Sequence, residues 1–339
     1  MVHNRTNASL VERGFHYQDM VSLIVFIDNI EQVTKINVEG KDDIDLFLIN
    51  NKEYYYQAKE TINPYRSNMS GMFEEALKTL NEDAKSKRMD RIIYVSNSTH
   101  PLGDAKNSTQ FYPSYSLYNY EDLEPILKTK VSAKIKKLDI NNFKENLDKF
   151  YVLKISYEGA DDRTKLRELN DRIDVLVNNM GLNPHKRDLA NEWQQMIMRS
   201  TEEEERTVTK EEFYSHTVVT AMFSRKVDSK DFNDFLDIFD VSAENESYIR
   251  EQYEELVDGL YDDFEMINKI ETEYNNFLKT GANMPRTKRL KKFVEKYEST
   301  LSEDIGRTKK KDSDVVKFLI WITIKTKNIA DEIRDVINL

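Results

Sequence analysis

The chain changes character along its length, and this change limits the available folds more than any other feature. Within the first 160 residues, alternating runs rich in Ile, Phe and Tyr, typical of strands, stand between stretches with helical spacing. Residues 91–98, "RIIYVSNS", contain a continuous apolar run bounded by polar residues, as in a buried central strand. After residue 160 the strand signals stop. The sequence therefore predicts an α/β or α+β N-terminal domain and a mainly α-helical C-terminal region.

The length of 339 residues favours two domains, because single hydrophobic cores rarely grow that large. Polar, linker-like sequence lies in the acidic run at residues 200–205 and in "SRKVDSKD" at residues 224–231. We place the boundary there, which gives a first domain of residues 1–225 and a helical region of residues 226–339.

Composition excludes several classes of protein. The net charge of −11 argues against a protein that coats nucleic acid nonspecifically, since such a protein needs many Lys and Arg residues. The absence of cysteine excludes disulfides, thiolate zinc sites and cysteine nucleophiles. No segment approaches the ~20 apolar residues that cross a bilayer, and the N-terminus lacks the apolar core of a signal peptide. We expect a cytoplasmic protein with no membrane partner.

Residues 41–60, "KDDIDLFLINNKEYYYQAKE", read as a β-hairpin with charges in an unusual place. Side chains alternate along a strand, so Asp43 and Asp45 share one face of the first strand, and Gln57 and Lys59 share one face of the second. If residues 50–52 form the loop, Asp45 lies opposite Gln57, and Asp43 lies opposite Lys59. A two-residue loop would instead separate the two polar sets.

In the three-residue register, two carboxylates, an amide oxygen and an ammonium group converge. Hard oxygen ligands suit Mg²⁺ or Mn²⁺, and a nearby lysine can neutralise charge on a phosphate or orient a metal-bound water. The alternative is a surface hairpin in which Asp43–Lys59 and Asp45–Lys52 are exposed ion pairs of little energetic weight. Spacing alone does not choose between these two interpretations.

The hairpin resembles the active site of the PD-(D/E)xK restriction-endonuclease-like superfamily, in the Q-x-K variant also seen in Mrr-like nucleases. Three blocks carry a more specific resemblance: "GFHYQ" (14–18), "VEGKDDIDLFL" (38–48) and "YYYQAK" (54–59). They are similar to the N-terminal double-stranded-DNA nuclease domain of CD-NTase-associated (Cap-type) anti-phage effectors, a domain that also forms the nuclease subunit of Lamassu defence systems. The resemblance extends more weakly to about residue 225.

This resemblance implies a role for each polar residue of the hairpin. Asp43 is the expected metal-binding aspartate, Gln57 occupies the second-ligand position, and Lys59 is the expected catalytic lysine. Asp45 is an alternative or additional ligand. The implied reaction is Mg²⁺- or Mn²⁺-dependent hydrolysis of double-stranded DNA.

Two residues upstream of the hairpin enter through the same resemblance. Gln18 lies where related nucleases often carry a Glu that touches metal or phosphate. Glu39 lies just before the turn into the site, and its role can be structural.

The resemblance also implies partners. The C-terminal region lacks the alternating strands of a cyclic-nucleotide sensor domain, which favours the Lamassu arrangement with an SMC-like ATPase and a further accessory subunit. Because the chain has no Walker A motif, the ATPase must be another subunit. We expect an endonuclease that partner subunits hold inactive and that self-associates into an active oligomer. The alternative is a noncatalytic adaptor with a nuclease-like fold that binds DNA or partner proteins.

The last helical segment, residues 313–338, is the most apolar part of the helical region. It contains an unbroken apolar stretch from Phe318 to Ile322. Such a helix is buried on more than one side. It forms either the core of the helical region or a surface for self-assembly or a partner subunit.

Overall fold

The structure is a computed structural model that describes residues 4–38, 43–65, 69–105, 108–198, 206–280 and 284–339. The chain divides into two compact units. The first unit comprises Met1–Asn179, Ala190–Phe213 and Ile337–Leu339, and the second comprises Met180–Leu189 and Tyr214–Val336. The main division thus lies between Phe213 and Tyr214, whereas the sequence placed it at residue 225.

Seven strands within the described ranges form one sheet in the first unit. The strands are β1 (Val33–Val38), β2 (Ile44–Leu48), β3 (Glu53–Lys59), β4 (Met89–Ser96), β5 (Tyr115–Asn119), β6 (Phe150–Ile155) and β7 (Arg206–Thr209). Their order across the sheet is β5-β6-β4-β3-β2-β1-β7. The pairs β3–β4 and β4–β6 are parallel, and the other neighbours are antiparallel. The predicted mixed α/β organisation is confirmed.

The helices of the first half of the chain are α1 (Asn4–Asp28), α2 (Ser70–Asp83), α3 (Pro125–Leu138), α4 (Asn141–Glu145), α5 (Asp162–Lys165), α6 (Arg167–Asn179) and α7 (Lys186–Met198). The later helices are α8 (Lys210–Phe223), α9 (Lys230–Phe239), α10 (Ala243–Asp262), α11 (Glu265–Thr280), α12 (Arg286–Asp304), α13 (Ser313–Thr326) and α14 (Asn328–Ile337). The mainly helical C-terminal region predicted from the sequence is also confirmed.

Helices cover both faces of the sheet, which explains why its central strands are apolar on both sides. One face carries Tyr55, Ile92 and Phe150, which pack against α2, α3 and α4 in a single hydrophobic cluster. The alternate residues of β3, Tyr54 and Tyr56, point to the other face and are also buried. Helix α1 packs against β1, β2, β3 and α6.

Two strands were not predicted from the sequence. Strand β7, with the sequence "RTVT", pairs with β1, so the expectation that strands stop after residue 160 is wrong. Strand β5 pairs antiparallel with β6 at the opposite edge. Both are short edge strands whose pairing partners are distant in sequence, so local periodicity carries little signal for them.

The turn of the β2–β3 hairpin consists of residues 49–51. Leu48 and Lys52 close it, because the Leu48 amide donates to the Lys52 carbonyl at 3.0 Å. The amide of Asn51 donates back to the Leu48 carbonyl at 3.1 Å, and Asn51 has a φ of 59°. A three-residue loop that ends in a left-handed residue is a favoured hairpin connection, and Asn tolerates that conformation better than most residues.

This turn places Asp45 opposite Tyr55 and Phe47 opposite Glu53. The predicted register, with Asp45 opposite Gln57 and the loop at residues 50–52, is therefore wrong by two residues. A shift of two preserves the face on which each side chain lies, since the side-chain period of a strand is two. The polar residues remain on one face, but their partners differ.

The second unit is built around α13. This helix packs against α9, α10, α11 and α12, and its residues Phe318 and Trp321 are buried. The Phe318 ring contacts the rings of Phe232, Phe235 and Tyr253 at centroid separations of 4.9, 5.1 and 5.2 Å. The apolar stretch thus forms the core of this unit and is not exposed as an assembly surface. Among the described helices, none combines the length and apolar character needed to cross a membrane.

We expect Asn51→Val to destabilise the protein by about 1–2 kcal/mol, because a left-handed backbone is costly for a β-branched residue. Asn51→Gly is the matched control, since glycine adopts positive φ without steric cost and should leave stability close to that of the wild type. Urea denaturation of the three proteins measures the difference. Equal stability of the Val and Gly variants would show that the turn does not require the left-handed residue.

Candidate active site

The candidate site lies at the carboxyl end of β3, beside the carboxyl ends of its parallel neighbours. Lys59 is the last residue of β3 and pairs with Ser96, the last residue of β4. Ser96 in turn pairs with Lys154 near the end of β6. Since parallel strands end at the same edge of a sheet, their terminal side chains and following loops gather there.

Asp43 is the centre of this arrangement. Its Oδ2 atom accepts a hydrogen bond from the backbone amide of Ala58 at 2.8 Å and another from Nε2 of Gln57 at 2.5 Å. The side chain of Gln57 is buried, so its amide group is shielded from solvent. Sequence analysis placed Lys59 opposite Asp43, but the observed register gives that position to Gln57.

Burial raises the pKa of Asp43, and this effect exceeds the opposing effects of the Lys59 charge and of the hydrogen bonds from Ala58 and Gln57. The ionised carboxylate is therefore less stable here than in water. A proton or a bound cation would stabilise this carboxylate by neutralising its charge. The Asp43 site is thus electrostatically suited to a metal ion.

Lys59 projects from the same face of β3 as Gln57, two residues further along the strand. It lies diagonally across the hairpin from Asp43 and is close enough to lower that residue's pKa. Within the described ranges, its ammonium group forms no ion pair within 4.0 Å. The Asp43–Lys59 ion pair of the alternative interpretation is therefore not formed, and Lys52 pairs instead with Asp90 at 2.7 Å.

Gln18 connects α1 to the site. Its Nε2 atom donates to the backbone carbonyl of Asp43 at 2.8 Å, and the carbonyl of Gln18 accepts from the hydroxyl of Ser22. The three blocks named in the sequence, which contain Gln18, Asp43 and Gln57, therefore meet in space. Glu39 lies outside the described residues.

Asp45 occupies a different environment from Asp43. It lies opposite Tyr55 on β3 and opposite Asn37 on β1, and only 4% of its surface is exposed. Its negative charge contributes to the raised pKa of Tyr55, behind burial and the hydrogen bond from Tyr55 to Glu53. The predicted pairing with Gln57 and the alternative ion pair with Lys52 are both wrong.

The donor set fits a sparse metal site. Within the described ranges, Asp43 Oδ1 accepts no hydrogen bond, and the Gln57 side chain, which contacts Asp43 Oδ2 through its Nε2 atom, also carries an amide oxygen. No group of three or more His, Asp or Glu side chains that could hold a metal occurs in the part of the chain that the structure describes. Mg²⁺ commonly binds through one or two carboxylates, several waters and substrate phosphates. Asp43, with Gln57, is chemically adequate for that mode of binding.

A buried polar segment at residues 96–99, which begins with the last residue of β4, was missed by sequence analysis. Asn97 is fully buried and forms hydrogen bonds with both backbone polar groups of Thr61, just beyond Lys59. The signal was present as the polar run "SNST" directly after a buried strand. Polar residues at that position often belong to a site in parallel sheets.

Lys154 is a second missed residue. It is 2% exposed, and its ammonium donates to the Pro113 carbonyl at 2.8 Å and to the Ser156 hydroxyl. Burial lowers its pKa, partly opposed by Glu158 and Glu168. A single lysine within the apolar strand "FYVLKI" was the available signal. Its contacts fix the loops beside the site.

No protein-family model matches the chain, and no curated protein matches it. Among solved structures, the chain is similar to the Acinetobacter baumannii Cap4 SAVED/CARF-domain containing receptor, solved with the cyclic trinucleotide 2'3'3'-cAAA. The two sequences are 16% identical, the TM-score is 0.38, and the similarity covers 62% of this chain. It covers 45% of the receptor chain, so the matched region spans less than half of that protein.

We expect Asp43→Asn to stabilise the protein at pH 8. The pKa of Asp43 is raised in the folded state, so the folded protein binds more protons than the unfolded chain between the unfolded and folded pKa values, and stability falls as the pH rises through that window. Asn carries no charge and avoids this cost. The gain in melting temperature should shrink as the pH is lowered below the unfolded pKa of about 4. A variant that melts below the wild type at pH 8 would contradict this prediction.

Proposed function

We propose that the chain is a metal-dependent double-stranded-DNA endonuclease with a restriction-endonuclease-like first unit. The observation that carries the proposal is the meeting of Gln18, Asp43 and Gln57, with Lys59 beside them, at one edge of the sheet. These residues come from the separate sequence blocks that resemble anti-phage nuclease domains. The hairpin by itself would not require a contact with Gln18 of α1.

Each residue has a distinct part in the proposed reaction. Asp43 supplies a carboxylate whose charge is poorly compensated by its surroundings, and Gln57 and Ala58 fix its orientation. Lys59 provides a positive charge for the phosphate that carries the developing negative charge. A bound Mg²⁺ or Mn²⁺ would supply Lewis acidity and a water of lowered pKa. Gln18 positions Asp43 through its backbone.

We also propose that the nuclease serves as an effector of bacterial anti-phage defence. Partner subunits, including an SMC-like ATPase, hold it inactive, and it cuts after release and self-association. The blocks at residues 14–18, 38–48 and 54–59 support this context by their resemblance to such effectors. Because the apolar stretch of α13 is buried, we do not propose that stretch as the assembly surface of the second unit.

A second candidate function is a noncatalytic adaptor with a nuclease-like fold. The observation in its favour is the single carboxylate at the centre of the site, with glutamine at the second-ligand position. A neutral ligand lowers the attraction for a divalent cation relative to a second carboxylate. Cleavage assays separate the two functions directly.

We expect the wild-type protein, or its activated assembly, to cleave duplex DNA in Mg²⁺ or Mn²⁺ and to stop in EDTA. Lys59→Ala should reduce the cleavage rate by at least about a hundredfold, because the variant loses the positive charge at the phosphate. Lys52→Ala is the matched control, since Lys52 lies in the same hairpin at the opposite end and pairs with Asp90. Equal rates for Lys59→Ala and Lys52→Ala would refute the assignment of the site.

We expect two copies of the site to cooperate in each double-strand break, because one such site cuts one strand. Mixing wild-type protein with excess Lys59→Ala protein should suppress linear plasmid and leave nicked circles, since most pairs then contain only one competent site. Agarose gels of supercoiled plasmid measure both products. If the yield of linear plasmid is insensitive to the excess, breaks arise without paired sites.

A further inference from the structure

The loop that follows Lys59 displays two large apolar side chains to solvent. Within residues 61–65, here called the clamped loop, Ile62 is 59% exposed and Tyr65 is 66% exposed. Neither belongs to the hydrophobic cluster under the sheet. Exposed apolar side chains of this size at the edge of a candidate active site are candidates for contact with its substrate.

The loop is held rigidly at its first residue. The side-chain amide of Asn97 donates to the Thr61 carbonyl at 2.8 Å, and the Thr61 amide donates to Asn97 Oδ1 at 2.9 Å. Asn97 is itself fully buried at the end of β4. One side chain therefore satisfies both backbone groups of Thr61 and fixes the start of the loop.

The loop is held again at Pro64. Its carbonyl accepts from the Thr99 amide at 2.8 Å, from the Ser98 hydroxyl at 3.1 Å and from the Thr99 hydroxyl at 3.1 Å. The Tyr65 amide donates to Asn63 Oδ1, and the Tyr65 hydroxyl donates to Glu158 at 2.9 Å. A loop fixed at both ends presents Ile62 and Tyr65 with little further loss of conformational entropy on binding.

Ile62 lies close to the reacting groups along the chain. Ile62 is three residues from Lys59, so the two Cα atoms lie within about 11 Å. Successive bases along one strand are about 3.4 Å apart. A separation of at most about 11 Å corresponds to about three base steps, so a phosphate held at Asp43 and Lys59 places bases within a few steps of it near the clamped loop.

We infer that the clamped loop inserts Ile62 into a base step beside the phosphate held at the site, with Tyr65 stacking on an exposed base. Apolar wedges of this kind unstack base steps in proteins that deform duplex DNA. The clamped loop begins two residues after Lys59, the last residue of β3, and this position favours the duplex held at the site as its occupant. The inference rests on the proposed nuclease function and identifies how that site engages its substrate.

The test uses Lys59→Ala protein so that the DNA stays intact. The probe is a short duplex with 2-aminopurine at alternate positions of one strand, whose fluorescence rises when bases unstack. Binding is followed by anisotropy of a dye on the other strand. Adding Ile62→Ser should weaken binding about tenfold and remove the fluorescence rise. Ile49→Ser is the matched control, because Ile49 is 62% exposed in the turn at the other end of the same hairpin and should have no effect.

Tyr65 provides a second, independent pair of variants. Tyr65→Ala should weaken binding, whereas Tyr65→Phe should retain it, since the ring remains and only the hydroxyl contact to Glu158 is lost. If Ile62→Ser and Tyr65→Ala bind and unstack the duplex as the Lys59→Ala parent does, the inference is overturned and the nuclease proposal stands. Weaker binding with an undiminished fluorescence rise also overturns insertion. If the parent binds no duplex and wild-type protein cuts none, both proposals fail.

Discussion

The three-residue turn at residues 49–51 is the constraint on which the candidate site depends. Asn51 adopts a left-handed conformation, and the Leu48 and Lys52 backbone groups close the turn. The hairpin register follows from this closure and brings the carboxylate of Asp43 to Gln57. A hairpin with any other turn length would give Asp43 a different neighbour.

The resulting position is unfavourable for the charge of Asp43. Burial raises its pKa, and two hydrogen bonds and the charge of Lys59 offset only part of that cost. Such an arrangement weakens the fold at a pH where Asp43 is ionised, and a proton or a cation at the carboxylate would offset that cost. Asp45, two residues further along the chain, is more deeply buried and lies against Tyr55. The two aspartates, one just before β2 and one within it, therefore lie in different environments.

Rigidity is concentrated where the parallel strands end. Asn97, Ser98 and Thr99 use their side chains to hold the loop after β3, and Lys154 does the same for loops beside β6. These polar groups are buried, so each one needs its hydrogen bonds to avoid a desolvation penalty. The same bonds fix the loops around Lys59. The same hydrogen bonds therefore satisfy the buried polar groups and organise the edge of the site.

The sequence by itself determined which side chains share a face. Strand periodicity is a local property, so Asp43, Gln57 and Lys59 fall on the same side for either position of a three-residue loop. It also determined the mixed α/β and helical organisation, because hydrophobic periodicity reports it directly. The long apolar run of α13 indicated burial, although it left open whether a core or a partner would cover it.

Tertiary structure decided which of those side chains meet. The sequence analysis placed the loop at residues 50–52, whereas the folded hairpin turns at residues 49–51, with Lys52 paired to Asp90 of β4. The four-residue strand β7 exists because β1 offers it a free edge, and Asn97 holds Thr61 across 36 residues of sequence. Packing within the second unit likewise placed Phe318 among the rings of α9 and α10. These contacts join residues far apart in the chain, and local patterns contain no information on such distances.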